Sequence, residues 1–288
     1  MTRHFLDVDD LSPDELDQVL TLAELPDPPK VLAGKGVVLI FEKPSLRTRN
    51  STEMAVVQLG GHPVSIKGEE IDLEKREPAA DVARVLARYH SFITARVFAH
   101  DTLRQMAAIS DVPVVNLLSD DAHPCQAVAD LLTLKQRWGS LQGRSIAYVG
   151  DGNNVCRSLV KAAHMAGMEA RVATPEGYEP DIDVPLFRDP AEAVKGVDAV
   201  YTDVWASMGQ EDEAAQRRQA FAGFTVDDAL LDQAATDVVF LHCLPAHRGE
   251  EVSAEAVEGP RSAVWQQAEN RMHAMRGLFL FLSGVTAG

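Results

Sequence analysis

The sequence predicts an α/β fold of two domains, each a mainly parallel sheet flanked by helices. Short, continuously apolar runs such as Val37–Phe41 are typical of strands buried on both faces, which parallel sheets contain. These runs alternate with helical stretches, the pattern of strand–helix–strand units with right-handed crossovers. The alternation restarts after Lys135–Gln142, and 288 residues suffice for two domains with separate cores.

The first half opens with a helix start and then alternates strands and helices. Ser12 is the predicted N-cap, Pro13 takes the first helical position and Glu15 completes a capping box. The further predicted elements of this half are the strand Val37–Phe41, a helix around Arg49–Leu59, the strands Ser91–Val97 and Val112–Asn116, and a helix from about Pro124 to Trp138.

The second half repeats the alternation and closes with a long helix. Its predicted strands are Ser145–Val149, Ala170–Thr174, Ala199–Asp203 and Val238–His242, and its predicted helices are Asn154–Ala166 and Ala263–Leu282. In such sheets ligands bind outside the carboxyl ends of the strands, so functional residues are expected in the segments that follow them.

Composition and charge limit the partners of this chain. Asp and Glu total 43 against 27 Lys and Arg, which gives a formal charge of −16. A nucleic-acid surface needs clustered basic charge, so we expect no nucleic-acid partner. An anionic substrate would need a local basic pocket that works against the overall field.

Cysteine usage and hydropathy indicate a protein of the reducing cytoplasm. The three cysteines are too few and too widely spaced for a disulfide framework or a CxxC metal site. The first residues, MTRHFLDVDD, hold no apolar core of a secretory signal, and the run Leu278–Leu282 is far too short to span a bilayer. We therefore expect no membrane association and a cytoplasmic location.

The segment EKPSLRTR (Glu42–Arg49) has the composition of a phosphate-binding helix start. It places two hydroxyls and two guanidiniums within five residues, directly after a buried strand. Free N–H groups and the positive end of the helix dipole favour an anion, and arginine adds bidentate bonds to phosphate oxygens. A capped helix start with solvated arginines is the alternative, but this combination favours phosphate binding.

Two further polar positions in the first half are ambiguous by themselves. Arg96 follows a strand, although most arginines are surface residues. The tetrapeptide HPCQ (His123–Gln126) opens a helix, so its first and last side chains would project from one helix end toward a ligand. A plain capping histidine is an equally good interpretation of His123.

The turn GDGNN (Gly150–Asn154) follows a strand and opens a helix, but it is no dinucleotide fingerprint. It lacks the G-x-G-x-x-G spacing, and Thr174 stands where an acidic residue for a ribose would be expected. The sequence thus argues against a nicotinamide cofactor, and we expect no cofactor. The two asparagines could hold a carboxylate or an amide, or they could be plain N-caps.

Two more segments follow strands of the second half. Asp203 lies at a strand end, where its carboxylate suits a cationic amine, and Ser207–Gly209 follows it. Cys243 could be a nucleophile, a metal ligand or a small buried residue. Since only His242 and His247 fall near it at a zinc-like spacing, a structural metal is not expected.

These segments, in this order, resemble the ornithine carbamoyltransferase family. The matching stretches are FEKPSLRTR, ITARVF, HPCQAVADLLTL, GDGNN, DVWASMGQE, HCLPAHRGEEV and AENRMHA, which run from residue 41 to residue 273. The wider carbamoyltransferase superfamily shares SxRTR and HPxQ, whereas SMG and HCLP are far more specific to the ornithine branch. The resemblance implies transfer of the carbamoyl group of carbamoyl phosphate to the δ-amine of L-ornithine, giving L-citrulline and phosphate in arginine metabolism.

The resemblance assigns roles residue by residue. It implies carbamoyl phosphate binding by Ser45, Leu46, Arg47, Thr48, Arg96, His123, Gln126, Leu244 and Arg271. It implies ornithine binding by Asn154, Asp203, Ser207, Met208 and Cys243. The catalytic residues among them would be Arg96, His123, Asp203 and Cys243.

The resemblance also implies an architecture and an assembly. Residues 1–135 would form a carbamoyl phosphate-binding domain, residues 136–265 an ornithine-binding domain, and residues 266–288 a C-terminal helix returning to the first domain. Family members are similar in forming trimers, with active sites at subunit edges. The expected partners are therefore the two substrates and further copies of this chain, in a homotrimer or an assembly of trimers.

Two departures from the family pattern concern carbamoyl phosphate binding. Leu46 stands where the family often has Thr, which removes one hydroxyl but keeps the backbone N–H. The stretch Ile71–Glu77 aligns with a segment that in many relatives reaches a neighbouring subunit's site. Asp72 and Glu74 fall where a Gln or His follows a Ser in those relatives.

Three other interpretations remain at this stage. A sister carbamoyltransferase would act on aspartate, N-acetylornithine or putrescine; HCLP argues against the first, and SMG with Asp203 against the other two. A non-catalytic homologue is supported only by Leu46, Asp72 and Glu74. A nucleotide-binding α/β protein is disfavoured by the missing glycine fingerprint.

Overall fold

The computed structural model describes residues 2–71, 73, 76–206 and 213–287, and it confirms the expected fold class. The chain divides into two compact units. Unit 1 consists of Met1–Leu132 with Glu269–Gly288, and unit 2 consists of Thr133–Ala268. Each unit is built on a parallel sheet flanked by helices.

Unit 1 alternates strands and helices after a 3-10 turn at Val8–Asp10. Its elements are α1 (Pro13–Ala23), β1 (Gly36–Phe41), α2 (Leu46–Gln58), β2 (His62–Lys67), α3 (Gly68–Ile71), α4 (Ala79–Tyr89), β3 (Phe92–Arg96), α5 (His100–Ile109), β4 (Val114–Leu118) and the first part of α6 (Pro124–Trp138). The predicted capping box of α1 is confirmed, because the side chains of Ser12 and Glu15 each accept from the other residue's N–H.

The unit 1 sheet has the strand order β2-β1-β3-β4, and all its neighbouring strands are parallel. β1 lies in the interior, and every residue after its first is buried, as the apolar run GVVLIF requires. β2 contains a proline, which its edge position tolerates. The strand order reverses between β1 and β3, so their carboxyl ends form the switch point where a ligand is expected.

The C-terminal helix α12 (Val264–Leu282) ends in unit 1, where it packs closely on α1. A Cβ at Gly277 would lie 2.4 Å from the carbonyl oxygen of Val19, so glycine is needed for this approach. The Arg276 guanidinium donates to the carbonyl oxygen of Ala23 at 2.8 Å and so satisfies the open end of α1. These contacts fix the position of α12 in unit 1.

Unit 2 begins with the last part of α6 and closes with the first part of α12. Its other elements are β5 (Ser145–Val149), α7 (Asn154–Met165), β6 (Glu169–Ala173), β7 (Leu186–Phe187), α8 (Pro190–Val194), β8 (Ala199–Thr202), α9 (Ala214–Ala220), α10 (Asp228–Leu231), β9 (Val239–His242) and α11 (Ala254–Glu258). The sheet order is β7-β6-β5-β8-β9, all parallel, and it reverses between β5 and β8.

The amino ends of β5 and β8 are joined by an ion pair. Arg144 precedes β5, and its guanidinium lies 2.8 Å from the carboxylate of Asp198, which precedes β8. The Ser145 N–H donates to the same carboxylate at 2.8 Å. At their other ends the same two strands lead into the segments that carry the predicted Asn154 and Asp203.

The observed elements extend those that the sequence pattern predicts. α6 and β5 have the predicted bounds, and β4 begins two residues later than predicted, at Val114. β2 and α4 lie between residues 60 and 90, where the pattern predicts no element. Among the described residues, no helix is long and apolar enough to cross a membrane.

Candidate active site

The segment after β1 forms the start of α2, as expected for a phosphate-binding helix end. Ser45 is the N-cap, and its hydroxyl oxygen accepts a hydrogen bond from the Thr48 N–H at 3.3 Å. The first N–H groups of a helix have no carbonyl partner within it, so they are available to an anion. Arg47 is half-buried beside them, whereas the Leu46 side chain is 74% exposed. Leu46 therefore offers this helix end a backbone N–H, and its side chain points elsewhere.

Arg96 ends β3 at the switch point of the unit 1 sheet, and its side chain is buried. The pairing of β3 with β4 shifts register between Ala95 and Arg96, an irregularity of the kind that re-aims side chains near active sites. The Arg96 carbonyl oxygen accepts from the Glu42 N–H at 2.9 Å, which ties the end of β3 to the segment after β1.

His123 immediately precedes α6, and its side chain is buried. Burial, followed by the charges of Arg271 and Arg96, holds the pKa of His123 well below its usual range. The imidazole is therefore neutral at physiological pH and can donate one hydrogen bond without adding charge. Because the His123 ring is buried and lies within the electrostatic influence of two arginines, we favour the ligand interpretation over plain capping.

Arg271 of α12 joins two segments of unit 1. Its guanidinium donates to Gln126 Oε1 and, at 2.8 Å, to the Thr48 hydroxyl. Gln126 Nε2 donates in turn to the buried Asp130 carboxylate at 2.7 Å. Because a guanidinium only donates and a carboxylate accepts, these partners fix which end of the Gln126 amide is the oxygen. The sequence analysis missed Asp130, although it lies four residues after Gln126 on the same helix face.

We call these residues the unit 1 site: Ser45, Arg47, Thr48, Arg96, His123, Gln126 and Arg271. Three arginines make the unit 1 site positive in a chain whose formal charge is −16. Helix N–H groups and guanidiniums suit phosphate oxygens. A neutral imidazole and a hydroxyl are donors that suit a carbonyl oxygen that gains negative charge.

The turn Gly150–Asn154 follows β5 at the switch point of the unit 2 sheet. The Gly152 N–H donates to the Tyr178 carbonyl oxygen at 2.9 Å, and a Cβ at Gly152 would lie 2.2 Å from the nitrogen of Pro180. Asn153 is the N-cap of α7, and its side-chain oxygen accepts from two N–H groups of the first turn. Close backbone packing and helix capping therefore explain this motif without a dinucleotide.

Asp203, directly after β8, is the centre of the polar contacts in unit 2. Its buried carboxylate accepts from the Cys243 thiol at 3.0 Å and from the Asn153 side-chain amide at 3.1 Å. The predicted Asn154 is the first residue of α7, one position beyond the cap. A thiol that donates to a carboxylate carries its proton, so Cys243 is not held as a thiolate nucleophile.

We call Tyr148, Asn153, Asn154, Asp203 and Cys243 the unit 2 site. The Tyr148 hydroxyl donates to the side-chain oxygen of Asn153 at 3.4 Å. Burial, followed by the charge of Asp203, raises the pKa of Tyr148 well above its usual range, so the phenol keeps its proton. A buried carboxylate among neutral hydrogen-bonding groups suits a cationic or polar amine. The sequence analysis singled out neither Tyr148 nor the contact of Asn153 with Asp203.

The segment after β9 is held by a buried pair that the sequence analysis also missed. The Leu244 N–H donates to His242 Nδ1 at 2.9 Å, and His242 Nε2 lies 3.1 Å from the Glu251 carboxylate. Because Nδ1 accepts, the ring proton is on Nε2, which donates to Glu251. This pair holds Leu244 in the left-handed conformation (φ 59°), which is uncommon for a branched side chain. Cys243 lies between the two residues so fixed.

The donor atoms of Asp203, His242 and Cys243 lie within 4.8 Å of one another, close enough to share a metal ion. Both ring nitrogens of His242 already take part in hydrogen bonds, and the Cys243 thiol donates to Asp203. A metal would have to replace these bonds and displace the thiol proton, so the donor set favours a hydrogen-bonded cluster.

Some predicted positions lie outside the described residues. These are Ser207 and Met208, predicted to bind ornithine, and Asp72 and Glu74, where the sequence departs from the family pattern.

Family models match both parts of the chain. The carbamoyl-P binding domain of aspartate/ornithine carbamoyltransferase matches residues 3–136, and the Asp/Orn binding domain of the same family matches residues 142–282. These two matches contain the unit 1 and unit 2 strand ends described above.

Known proteins resemble the chain over its whole length. The ornithine carbamoyltransferase of Acidothermus cellulolyticus is 49% identical over 308 residues, which cover 100% of this chain and 99% of that protein. The solved ornithine carbamoyltransferase of Thermus thermophilus superposes with a TM-score of 0.91 at 47% identity, covering 98% of this chain and 99% of that one. The enzyme of Pyrococcus furiosus gives a TM-score of 0.93 at 43% identity, covering 99% and 98%. By sequence and by fold, the chain belongs to the aspartate/ornithine carbamoyltransferase family.

Proposed function

We propose that this chain is an ornithine carbamoyltransferase, which converts carbamoyl phosphate and L-ornithine into L-citrulline and phosphate in arginine metabolism. The observation that carries the proposal is the opposite charge of the two sites. The unit 1 site presents three arginines to an acyl phosphate, and the unit 2 site presents buried Asp203 to an amine. Full-length relatives named ornithine carbamoyltransferase support this substrate pair.

Carbamoyl phosphate binds in the unit 1 site through its two ends. The phosphate takes the Ser45 hydroxyl, the Arg47 guanidinium and the first N–H groups of α2, including that of Leu46. The carbonyl oxygen takes hydrogen bonds from Thr48, Arg96 and His123, and one donor to such an oxyanion is typically worth about 3 kcal/mol. The carbamoyl NH2 donates to the second lone pair of Gln126 Oε1, whose first lone pair Arg271 already uses.

L-Ornithine binds in the unit 2 site and attacks directly, without a covalent enzyme intermediate. Its δ-amine resembles that of lysine, whose pKa is about 10.4, so loss of the proton at pH 7 costs roughly 4.6 kcal/mol. Asp203 and the Cys243 thiol orient the amine, and exclusion of water favours its neutral form. The amine nitrogen attacks the carbonyl carbon, and the bond from that carbon to the phosphate oxygen then breaks. The amine proton passes to the departing phosphate, so the products are citrulline and hydrogen phosphate. Because the acyl phosphate supplies its own leaving group, no cofactor is needed.

Exposed apolar side chains support self-association through unit 1, and the family resemblance implies that the assembly is a homotrimer. Among the described residues, six of the eight exposed large hydrophobic side chains belong to unit 1: Leu46, Met54, Val57, Val85, Tyr89 and Phe98. Leu46, Met54 and Val57 fall on one face of α2, the helix whose first turn belongs to the unit 1 site. Light scattering is expected to give a multiple of three chains for wild type. Met54→Glu should lower that mass, and a monomeric wild type would contradict the trimer.

The location that fits this proposal is the cytoplasm. Cys125, Cys156 and Cys243 are all free thiols, and two of them are buried. A reducing compartment keeps such thiols from forming disulfides.

The test of the reaction is product formation with a panel of amines. Purified protein is supplied with carbamoyl phosphate and L-ornithine, L-aspartate, N-acetyl-L-ornithine or putrescine at pH 7 to 9. Product from L-ornithine alone, increasing with pH as the amine loses its proton, is the expected result. Product mainly from another amine would reassign the substrate of unit 2. No product from any amine, in folded protein that still binds carbamoyl phosphate, would support a non-catalytic homologue.

A further inference from the structure

Arg217 on α9 is a buried arginine outside the unit 2 site. Its Nη1 donates to the Asp151 carboxylate at 3.0 Å and to the Trp205 carbonyl oxygen at 2.8 Å. Its Nε donates to the Glu213 carboxylate at 3.0 Å, and the guanidinium lies 5.1 Å from the ring centroid of Tyr178. Arg217 and Asp151 are only 9% and 10% exposed, so this ion pair is shielded from water.

The partners of Arg217 belong to the two segments that carry the unit 2 site. Asp151 lies in the turn after β5, two residues before Asn153, whose amide donates to Asp203. Trp205 lies two residues after Asp203 on the segment that follows β8. One guanidinium therefore joins the same two segments that the Asn153–Asp203 hydrogen bond joins. The Trp205 ring stacks on Phe221 at the end of α9, with centroids 5.6 Å apart, which holds the same segment from a second side.

We propose that Arg217, through Asp151 and the Trp205 carbonyl, is a positioning residue that sets the spacing of Asn153 and Asp203 for ornithine. The inference rests on the proposed assignment of ornithine to the unit 2 site. A buried guanidinium can serve two acceptors from one nitrogen and a third from another, in a rigid plane. A lysine ammonium keeps the charge but cannot place donors at both the Nη1 and Nε positions. Arg217→Lys therefore removes the geometry and retains the charge.

The Arg144–Asp198 pair offers a matched control in the same unit. Arg144 and Asp198 join the amino ends of β5 and β8 directly. Arg217 on α9 joins the segments after the carboxyl ends of the same strands, through its ion pair with Asp151 and its hydrogen bond to the Trp205 carbonyl. If ion pairs between these strands act only on stability, the two replacements Arg144→Lys and Arg217→Lys should have the same kind of effect. If Arg217 positions the unit 2 site, only its replacement should change ornithine binding.

The kinetic test compares wild type, Arg217→Lys, Asp151→Asn and Arg144→Lys at pH 8. Burial raises the pKa of Asp151 to about 6, so its carboxylate is ionised under these conditions. A misplacement of about 1 Å can cost 10²-fold, so we expect the ornithine KM to rise about 10- to 100-fold in Arg217→Lys. The carbamoyl phosphate KM should stay within about twofold of wild type, and Arg144→Lys should change neither KM by more than that. In the double variant Arg217→Lys/Asp151→Asn the two effects should be less than additive, because both changes break the same contact.

An exchange measurement on the same proteins does not depend on the reaction. Hydrogen–deuterium exchange is followed in peptides that cover the turn after β5 and the first turn of α7. Arg217→Lys should speed exchange at the N–H groups that Asn153 caps, and Arg144→Lys should leave them protected. If Arg217→Lys speeds exchange but the wild-type protein makes no citrulline, the proposed function is contradicted, whereas the structural role of the Arg217 contact is supported. The inference is overturned if folded Arg217→Lys has an ornithine KM near that of wild type. It is also overturned if both KM values rise equally, or if Arg144→Lys has the same effect as Arg217→Lys.

Discussion

The two units place sites of opposite charge at the same point of a similar sheet topology. In each sheet the strand order reverses once, and part of each site lies at the ends of the two strands at the reversal: Arg47 and Arg96 in unit 1, Asn153 and Asp203 in unit 2. His123 and Cys243 follow the next strands outward, β4 and β9. The unit 1 site draws its charge from three arginines and holds His123 neutral. The unit 2 site centres on buried Asp203, with a protonated tyrosine and a thiol beside it. The fold supplies the position, and the residues at the strand ends supply the chemistry.

The two sites also differ in how their residues are oriented. In unit 1, Arg271 reaches Thr48 and Gln126 from the C-terminal helix, more than 100 residues away along the chain. In unit 2, Asp203 contacts residues from neighbouring strand ends, and Arg217 supports them from α9. A change in the docking of α12 should therefore affect the first substrate, and a change around α9 the second.

The largest effect is expected from Arg271→Met. This change removes one of three cationic groups and the donor that orients Thr48 and Gln126. We expect kcat to fall by about 10²- to 10³-fold, the loss that is typical when an oxyanion donor is removed. Steady-state kinetics should show that loss with the ornithine KM within about threefold of wild type. A variant with full turnover would remove Arg271 from the unit 1 site.

The docking of α12 is tested by Gly277→Ala. The new Cβ would meet the Val19 carbonyl oxygen, and overpacking of this kind typically costs about 1–3 kcal/mol. Urea unfolding should report that loss, and the carbamoyl phosphate KM should rise more than the ornithine KM. Glu269→Ala, an exposed change on the same helix, is the control and should alter neither quantity. Equal changes in both KM values would break the separation of the two sites.

A smaller effect is expected from Cys243→Ser. The hydroxyl can still donate to Asp203, and direct attack by the amine needs no thiolate. Turnover should fall by less than the roughly 10²-fold that removal of a positioned acid or base typically costs. Complete loss of turnover in a folded variant, or isolation of a carbamoyl thioester, would show that Cys243 is a covalent nucleophile.

No titration at all is expected for His123 between pH 8 and 6. Its lowered pKa keeps the folded state from binding a proton there, whereas the unfolded state binds one below about pH 6.5. Its contribution to stability is therefore complete above pH 6.5 and is lost as the pH falls below that value. NMR of 13C-labelled histidine, with His123→Gln to assign the signal, checks this. A titration midpoint near 6.5 would show that the folded protein does not disfavour the imidazolium, and it would contradict the lowered pKa of His123.

Much of the unit 1 site can be predicted from the sequence because its residues follow strands in short, dense motifs. SLRTR and HPCQ lie within a few residues of a strand end, where an α/β fold places ligands. The role of Asp130 is to accept from Nε2 of Gln126 and so to orient that amide. The sequence shows that the two residues are four positions apart, but it does not show that their side chains meet. Helix α4 was missed too, although Ala79, Val82 and Ala83 repeat at helical spacing on its buried face.

The contacts of unit 2 could not be read from spacing alone. Asn153 and Asp203 are 50 residues apart, and Arg217 reaches Asp151 across 66. His242 and Glu251 form a buried pair, although residues of these types are seldom fully buried, so the sequence alone does not predict it. Only the folded chain shows which of these polar residues are removed from water and therefore must be paired.

The most direct test of the contrast between the two sites is a crossed measurement of both substrate KM values in Arg47→Ala and Asp203→Asn. Arg47→Ala should raise the KM of carbamoyl phosphate by orders of magnitude, because phosphate charge is left unpaired, with little change for ornithine. Asp203→Asn should raise the KM of ornithine by orders of magnitude, with little change in the KM of carbamoyl phosphate. If either variant raises both KM values equally, or if the effects are exchanged, the assignment of one substrate to each unit is contradicted.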